Sequence, residues 1–374
     1  MSGSVSSVAL EEAYRESLNS EEYFPNKRIL HIGSESYDAQ TVAVCQGLDR
    51  LGFEIYVPVK PNINSWFCNK VIRNPRQYKF DFVLSSLHWG TRWSHYGRYG
   101  LWHYPKVLID GDDNMPGDTW RTKFDRYLKA YKVNPPNEVK ALELAPYRWV
   151  ESLDGYKPDV VFALAKYPGA YYIPKGLQHQ WLDQNGSKTI MARGIDFCHV
   201  PGQGAWRRAM SALLALGVLP GIIHNESVRG KPAYPTTWVR SMAERDAGVH
   251  SWDRWAMYMD FYRILDDTRV LIHPGIDHWP FWEARRIYEG WACGCLVAMS
   301  TPTVDVSEYP PTGVCPEAVY ASHEELISKG KFWYENPDIL DSLAVQSAAR
   351  ARRYFSPVAV ARYFLKRVHD AISH

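Results

Sequence analysis

The sequence lacks several features that would assign a function class at once. It contains no apolar run of 18 residues, so no membrane-spanning segment is predicted. Residues 1–20 are polar and acidic rather than signal-like, which indicates a cytosolic protein. Its charges nearly cancel, with 43 Lys and Arg against 41 Asp and Glu. Because proteins that bind by neutralising phosphates carry more positive charge, nucleic acid is disfavoured as a partner, although a local basic groove is not excluded.

Two common cofactor signatures are also missing. No Gly-x-Gly-x-x-Gly fingerprint follows any predicted strand, so the classical dinucleotide cofactors are not indicated and no cofactor is predicted. The six cysteines include a close pair, Cys293 and Cys295, but no second Cys/His pair stands at zinc-ligand spacing. We therefore interpret both thiols as structural and predict no metal.

Short apolar strands alternate with helical stretches along most of the chain. This alternation is typical of a parallel sheet with helices on both faces, and 374 residues suffice for two such domains. The sequence therefore predicts an α/β fold of two Rossmann-like, doubly wound domains facing each other across a cleft. The predicted parts are a tail (1–24) with a short helix at 10–18, a first domain (25–188), a second domain (189–356) and a C-terminal helix (357–374) that packs back toward the first domain.

Predicted element limits follow from apolar spacing and from Gly and Pro stop signals. The predicted strands cover 28–32, 53–59, 80–87, 106–110 and 159–165 in the first half, and 195–200, 269–272 and 295–299 in the second. The predicted helices cover 39–51, ended by Gly52, then 206–216, 252–265, 282–292, ended by Gly294, and two helices within 342–372 that break at Ser356 and Pro357.

Polar residues follow the predicted strands of the first half, where parallel sheets bind ligands. The candidate acid–base groups are His88, Asp110, Asp112 and Asp113. The run of Asp and Gly also suits a metal, but turns favour the same residues, and we prefer the turn.

Aromatic residues are abundant, with 15 Trp and 24 Tyr, and many lie in residues 88–103. That stretch shows neither helical nor strand periodicity and mixes rings with His and Arg, which suits binding to the faces of sugars. The acceptor-binding candidates are Trp89, Trp93, Tyr96 and Trp102. A local cluster of rings that holds a long loop together would explain the same composition.

Three segments together resemble GT-B glycosyltransferases. Residues 172–182 resemble the Pro-x-Gly segment that closes the first domain, and residues 196–216 resemble the first strand–loop–helix unit of the donor domain. Residues 269–301 resemble the donor-site signature of retaining enzymes and of their spore-coat-maturation-like and exostosin-like relatives, including Glu-x-x-Ala-x-Gly. The resemblance implies that Glu289 accepts hydrogen bonds from the ribose hydroxyls of a nucleotide and that Arg286 points toward the donor.

The predicted donor site also includes a phosphate-binding loop and helix start, since backbone N–H groups there bind anions. The donor-binding candidates are Gly33, Gly202, Gly204, Arg207, Arg208, His273, Gly275, Glu283, Arg286 and Glu289. One departure from the family pattern concerns a second Glu, eight residues before Glu289. Phe281 stands there and Glu283 is the nearest acid, so retention of anomeric configuration stays undecided.

These features predict a metal-independent hexosyl- or pentosyltransferase that moves a sugar from a nucleotide-diphosphate sugar to a hydroxyl of a carbohydrate acceptor. A nucleotide-sugar epimerase of the same fold would need no acceptor, and the loop-borne rings weigh mildly against it. A catalytically silent binding module and a transferase that acts on modified DNA bases would also be compatible with this fold.

Overall fold

A computed structural model describes residues 3–32, 39–58, 69–86, 99–110, 158–163, 170–182, 189–199, 219, 264–273, 285–301 and 308–373. Within these ranges the chain forms two separate sheets, and every strand pairing in both is parallel. No helix in this part of the chain is both long and apolar enough to cross a bilayer.

The first sheet has seven strands in the order β3-β2-β1-β4-β5-β6-β7. They are β1 (Arg28–Ile32), β2 (Glu54–Val57), β3 (Asn69–Val71), β4 (Phe82–Ser86), β5 (Lys106–Asp110), β6 (Val160–Ala163) and β7 (Tyr171–Tyr172). The order reverses direction between β1 and β4, and ligand crevices of doubly wound sheets form at the carboxyl ends of strands at such a reversal.

The second sheet has four described strands in the order β11-β10-β9-β8. They are β8 (Ile195–His199), β9 (Thr268–His273), β10 (Leu296–Ser300) and β11 (Val319–Tyr320). The predicted fold class, α/β with a parallel sheet in each half, is confirmed. Strands β3, β7 and β11 were not predicted, because two or three residues are too short to show a period.

The described helices are α1 (Gly3–Glu16), α2 (Ala39–Arg50), α3 (His179–Leu182), α4 (Arg285–Ala292), α5 (His323–Glu335), α6 (Pro337–Phe355) and α7 (Pro357–Ile372). Gly52 and Gly294 have φ of 85° and 76°, the left-handed conformation of a helix stop, so both predicted stops are confirmed. The predicted break before α7 is also confirmed. The Oγ atom of Ser356 accepts a hydrogen bond from the N–H of Ala359, and Pro357 occupies the first helical position.

Helix α7 packs against the first half of the chain. The ring centroid of Phe364 lies 5.8 Å from that of Phe82 in β4 and 4.8 Å from that of Phe162 in β6. Gly47 of α2 meets the start of α7 so closely that a Cβ there would lie 1.9 Å from the carbonyl oxygen of Pro357. The C-terminal helix is therefore anchored on the first sheet and on α2. The predicted domain limits stay predictions.

The chain passes between its two halves twice, and the two passages lie side by side. In the first, Gly176 has a φ of 65°, and the N–H of Leu177 donates to the carbonyl oxygen of Phe355 at 2.8 Å. Phe355 ends α6 and begins the second passage. Its ring packs between Tyr288 and Trp291 of α4, with centroid distances of 5.4 and 6.1 Å. Helix α4 thus contacts the point where the passages meet.

The N-terminal segment that we predicted as a tail packs along both halves. Its helix spans Gly3–Glu16 rather than residues 10–18. Glu11 accepts hydrogen bonds from Arg353 at 2.9 Å and from the hydroxyl of Tyr354 at 2.5 Å, at the end of α6. Glu21 pairs with Arg362 of α7 at 2.6 Å. The two residues of each pair are about 340 positions apart in the sequence, so local sequence patterns could not indicate these contacts.

Candidate functional site

Helix α4 carries the most specific predicted site residue, Glu289. The helix follows β9 and precedes β10, so its first turn lies on the side of the carboxyl end of β9. Glu289 is the fifth described residue of the helix, and its side chain is only 5% exposed. It is therefore not a surface residue of the helix.

The partner of Glu289 is Arg285, one turn earlier. The Nε atom of Arg285 lies 2.6 Å from Oε1 of Glu289, and the Arg285 side chain is 29% exposed. Burial raises the pKa of the Glu289 carboxyl above its ordinary value, while the charges of Arg285 and Arg286 act to lower it. The site is thus a buried carboxylate beside two guanidinium groups.

Close packing holds α4 against the second sheet. A Cβ at Gly290 would lie 2.6 Å from Cδ2 of Leu271 in β9 and 2.9 Å from Cγ2 of Val297 in β10. Trp291 and Ala292 are fully buried. Since Gly290 lets the helix approach the two strands this closely, the packing against the sheet helps to set the position of neighbouring Glu289.

The buried guanidinium of Arg193 forms hydrogen bonds that connect the amino-terminal edge of the second sheet to the end of α4. Arg193 donates to the carbonyl oxygens of Thr268 and Cys293, both at 2.7 Å, and to that of Leu265 at 3.2 Å. Its Nη1 lies 3.8 Å from Sγ of Cys295. Cys293 and Cys295 are fully buried, and burial raises the pKa of the Cys295 thiol to about 12. This supports the structural interpretation of the cysteine pair.

Two histidines end neighbouring strands at the carboxyl edge of the second sheet. His273, a predicted donor-binding residue, is the last residue of β9 and is buried. His199 ends β8, and its Nδ1 lies 3.1 Å from the carbonyl oxygen of Ile272, so Nδ1 carries the proton that makes this bond. The sequence analysis did not select His199, although its place at a strand end was visible.

Fewer of the predicted site residues lie in the described part of the first sheet. Asp110 is the last residue of β5 and is paired in register with Ala163. His31 lies near the end of β1, beside the reversal of strand order, and burial lowers its pKa to about 3. His31 is therefore a neutral, buried imidazole at physiological pH.

Trp102 is the one acceptor-binding candidate within the described residues. It precedes β5 by four residues and therefore lies at the amino edge of the first sheet, whereas Asp110 marks the carboxyl edge. Its side chain is 49% exposed, while neighbouring Leu101 is buried in a cluster that Tyr99 and Tyr104 adjoin. The acceptor-binding role of Trp102 stays a prediction.

Most other predicted site residues lie outside the described ranges, and their roles stay predictions. They are Gly33, His88, Trp89, Trp93, Tyr96, Asp112, Asp113, Gly202, Gly204, Arg207, Arg208, Gly275 and Glu283. Arg285 and Arg193 are not among the predicted site residues. The adjacent arginines 285 and 286 were visible in the sequence, and helical spacing allowed either to reach Glu289.

Several solved structures are similar to this chain over nearly its whole length. A glycosyltransferase from Rickettsia africae shares 13% identity and a TM-score of 0.49, covering 93% of this chain and 98% of its own. Sucrose-phosphate synthase from Thermosynechococcus elongatus shares 12% identity at 0.45, covering 89% and 96%. Anabaena HepE, solved with UDP-glucose, shares 9% identity at 0.43, covering 92% and 99%.

All three TM-scores lie below 0.5, so the activity has to be inferred from this chain's own residues. No protein-family model matches the chain. No curated protein matches it either.

Proposed function

We propose that this protein is a glycosyltransferase that moves a sugar from a nucleotide-diphosphate sugar to a hydroxyl of a carbohydrate acceptor. The observation that supports this most is the buried Glu289 carboxylate, paired with Arg285 on a helix locked against a parallel sheet. Burying a charged carboxylate is costly unless it is paired and hydrogen-bonded. A carboxylate held in this way can accept bonds from both hydroxyls of a ribose cis-diol.

In this proposal the second half of the chain holds the donor and the first half holds the acceptor. Glu289 binds the ribose, and the leaving diphosphate is met by Arg207 or Arg208 and by the backbone amides of residues 202–204. The acceptor hydroxyl lies near the carboxyl edge of the first sheet, where His88, Asp110, Asp112 and Asp113 are the candidates for taking its proton. No metal takes part.

The first experiment is a thermal-shift panel of UDP, GDP and dTDP and their sugars. A ligand at 100 times its Kd stabilises the folded protein by about 2.7 kcal/mol, a shift that is readily measured. The best ligand is then followed by NMR with candidate acceptors. A transferase releases the nucleotide and forms glycosylated acceptor only when acceptor is present, whereas an epimerase changes the sugar without an acceptor.

The transferase activity should survive excess EDTA. Complete loss that Mg²⁺ or Mn²⁺ restores would contradict metal independence.

The decisive variant is Glu289→Ala. We expect nucleotide affinity, measured by calorimetry, to weaken by roughly 1–3 kcal/mol, because ribose hydroxyls lose a charged acceptor. The fold should persist, since the remaining Arg285 side chain is 29% exposed and can reach water. The matched control is Glu325→Ala, which breaks another ion pair between residues four apart, with Lys329 on α5. Unchanged affinity in Glu289→Ala would refute the proposed role.

A further inference from the structure

Arg285 is the residue whose arrangement the proposed function does not yet explain. It contacts Glu289 directly, with Nε 2.6 Å from Oε1. The two residues are four apart and therefore on the same face of α4. Arg286, the residue to which the resemblance assigned a donor contact, is one position further and projects about 100° around the helix. Both are partly exposed, whereas Glu289 is buried.

Helix stability alone does not account for this pair. On a helix, the order acid then base is more favourable than base then acid, because the dipole favours negative charge near the N-terminus. Here Arg285 precedes Glu289. Exposed ion pairs contribute little, and a buried carboxylate carries a desolvation cost that its partner only offsets. An apolar residue at either position would serve packing against the sheet equally well.

The geometry of the pair suits a hydrogen-bond acceptor, the Glu289 carboxylate, that is held in place to bind hydroxyl groups. A carboxylate offers about four lone-pair sites, and the shortest contact with Arg285 is to Oε1, which leaves room on the same carboxylate for further donors. A guanidinium at that distance favours the ionised form of the carboxyl, against the effect of burial, and restricts its rotation. An ionised, oriented carboxylate accepts hydrogen bonds about twice as strong as neutral ones.

We propose that Arg285 is a positioning residue that orients the Glu289 carboxylate to bind the ribose hydroxyls of the nucleotide. The inference rests on the proposed function, since it requires a ribonucleotide at Glu289. Arg285 itself touches Glu289 and not the ribose.

The test compares a ribonucleoside diphosphate with its 2′-deoxy analogue by calorimetry. The probe is UDP against 2′-deoxy-UDP, or the corresponding GDP pair if the wild type prefers guanine. We expect the wild type to prefer the ribo form by roughly tenfold or more, as one hydrogen bond to a charged group is worth. In Arg285→Gln that preference should fall to about threefold or less, while Arg285→Lys should keep an intermediate value because its ammonium can still pair.

The control variant is Lys329→Gln, which breaks the pair with Glu325 on α5, and its ribo preference should equal that of the wild type. Melting temperatures check that each variant folds, and if Arg285→Gln does not fold, Arg285→Lys is compared with the wild type instead. Equal weakening of both nucleotides with the preference unchanged would overturn the inference. A wild type that binds neither nucleotide would overturn the proposed function itself, so the two failures are distinguishable.

Discussion

Replacing Gly47 by alanine tests the packing interface between α2 and α7. A Cβ at Gly47 would lie 1.9 Å from the carbonyl oxygen of Pro357, 2.5 Å from its carbon and 2.6 Å from Cβ of Ala361, whereas ordinary contacts begin at 3.4 Å. The clash is with backbone at the start of a helix, which cannot rotate away as a flexible side chain can. Helix α7 would have to move by more than 1 Å, disturbing the packing of Phe364 on the first sheet.

The expected magnitude is the difference between two terms of opposite sign. Alanine favours a helix over glycine by about 1 kcal/mol. Overpacking a filled interface costs roughly 1–3 kcal/mol, occasionally more, and a 1.9 Å approach to backbone belongs at the upper end. We therefore expect Gly47→Ala to lower the free energy of unfolding by about 2 kcal/mol or more.

Urea denaturation measures this change, with Arg50→Ala as the control on the same helix. Arg50 is exposed, so its removal should change the free energy of unfolding by no more than about 0.5 kcal/mol. The sign of the change in the free energy of unfolding decides whether α2 and α7 are in close contact. If α2 and α7 were not in close contact, only the helix-propensity term would remain, and Gly47→Ala would be more stable than the wild type. That result would refute the packing described here.

Two further predictions concern pH and thiol chemistry. Hydrogen bonds from Tyr354 and from Arg15, together with the charge of Arg353, hold the pKa of the Glu11 carboxyl below its ordinary value. Glu11 therefore stabilises the fold at pH values above the ordinary pKa of a glutamate. This stabilisation is lost as the pH falls through the lower pKa of the folded state. The difference in melting temperature between the wild type and Glu11→Gln should therefore shrink from about pH 5 downward, and a constant difference would contradict this. In a Cys68→Ser variant the remaining five cysteines are all buried, so none should react rapidly with a thiol reagent at pH 8 before the protein unfolds. A fast-reacting thiol in the folded variant would show that the buried positions are wrong.

Local patterns were sufficient for most of the fold. The alternation of apolar strands and helices predicted parallel sheets, because a parallel strand is buried on both faces and is followed by a crossover. Glycine stops at Gly52 and Gly294 were readable, since a left-handed residue there strongly favours glycine. Helix α5 was missed although Ser322 and Glu325 form a visible capping pair, with the N–H of Glu325 donating to Oγ of Ser322 at 3.2 Å.

The candidate site was only partly readable in the same way. The Glu-x-x-Ala-x-Gly pattern selected Glu289, and its burial supports that choice. The pattern also selected Arg286, whose role toward the donor stays a prediction. The ion pair of Glu289 with Arg285 was not predicted, although residues four apart lie on the same face of a helix.

The sequence by itself therefore determined the class of fold, the order of the longer strands and most of the helices, and the residue on which the function is proposed to depend. The tertiary structure alone decided which arginine pairs with Glu289, and that Gly290 locks α4 against the second sheet. It also decided that the N-terminal segment packs through Glu11 and Glu21 against the last two helices. The physical reason is one of range. Periodicity and turn chemistry act over a few neighbouring residues, whereas these contacts join positions that come together only when both sheets and the helices between them are packed.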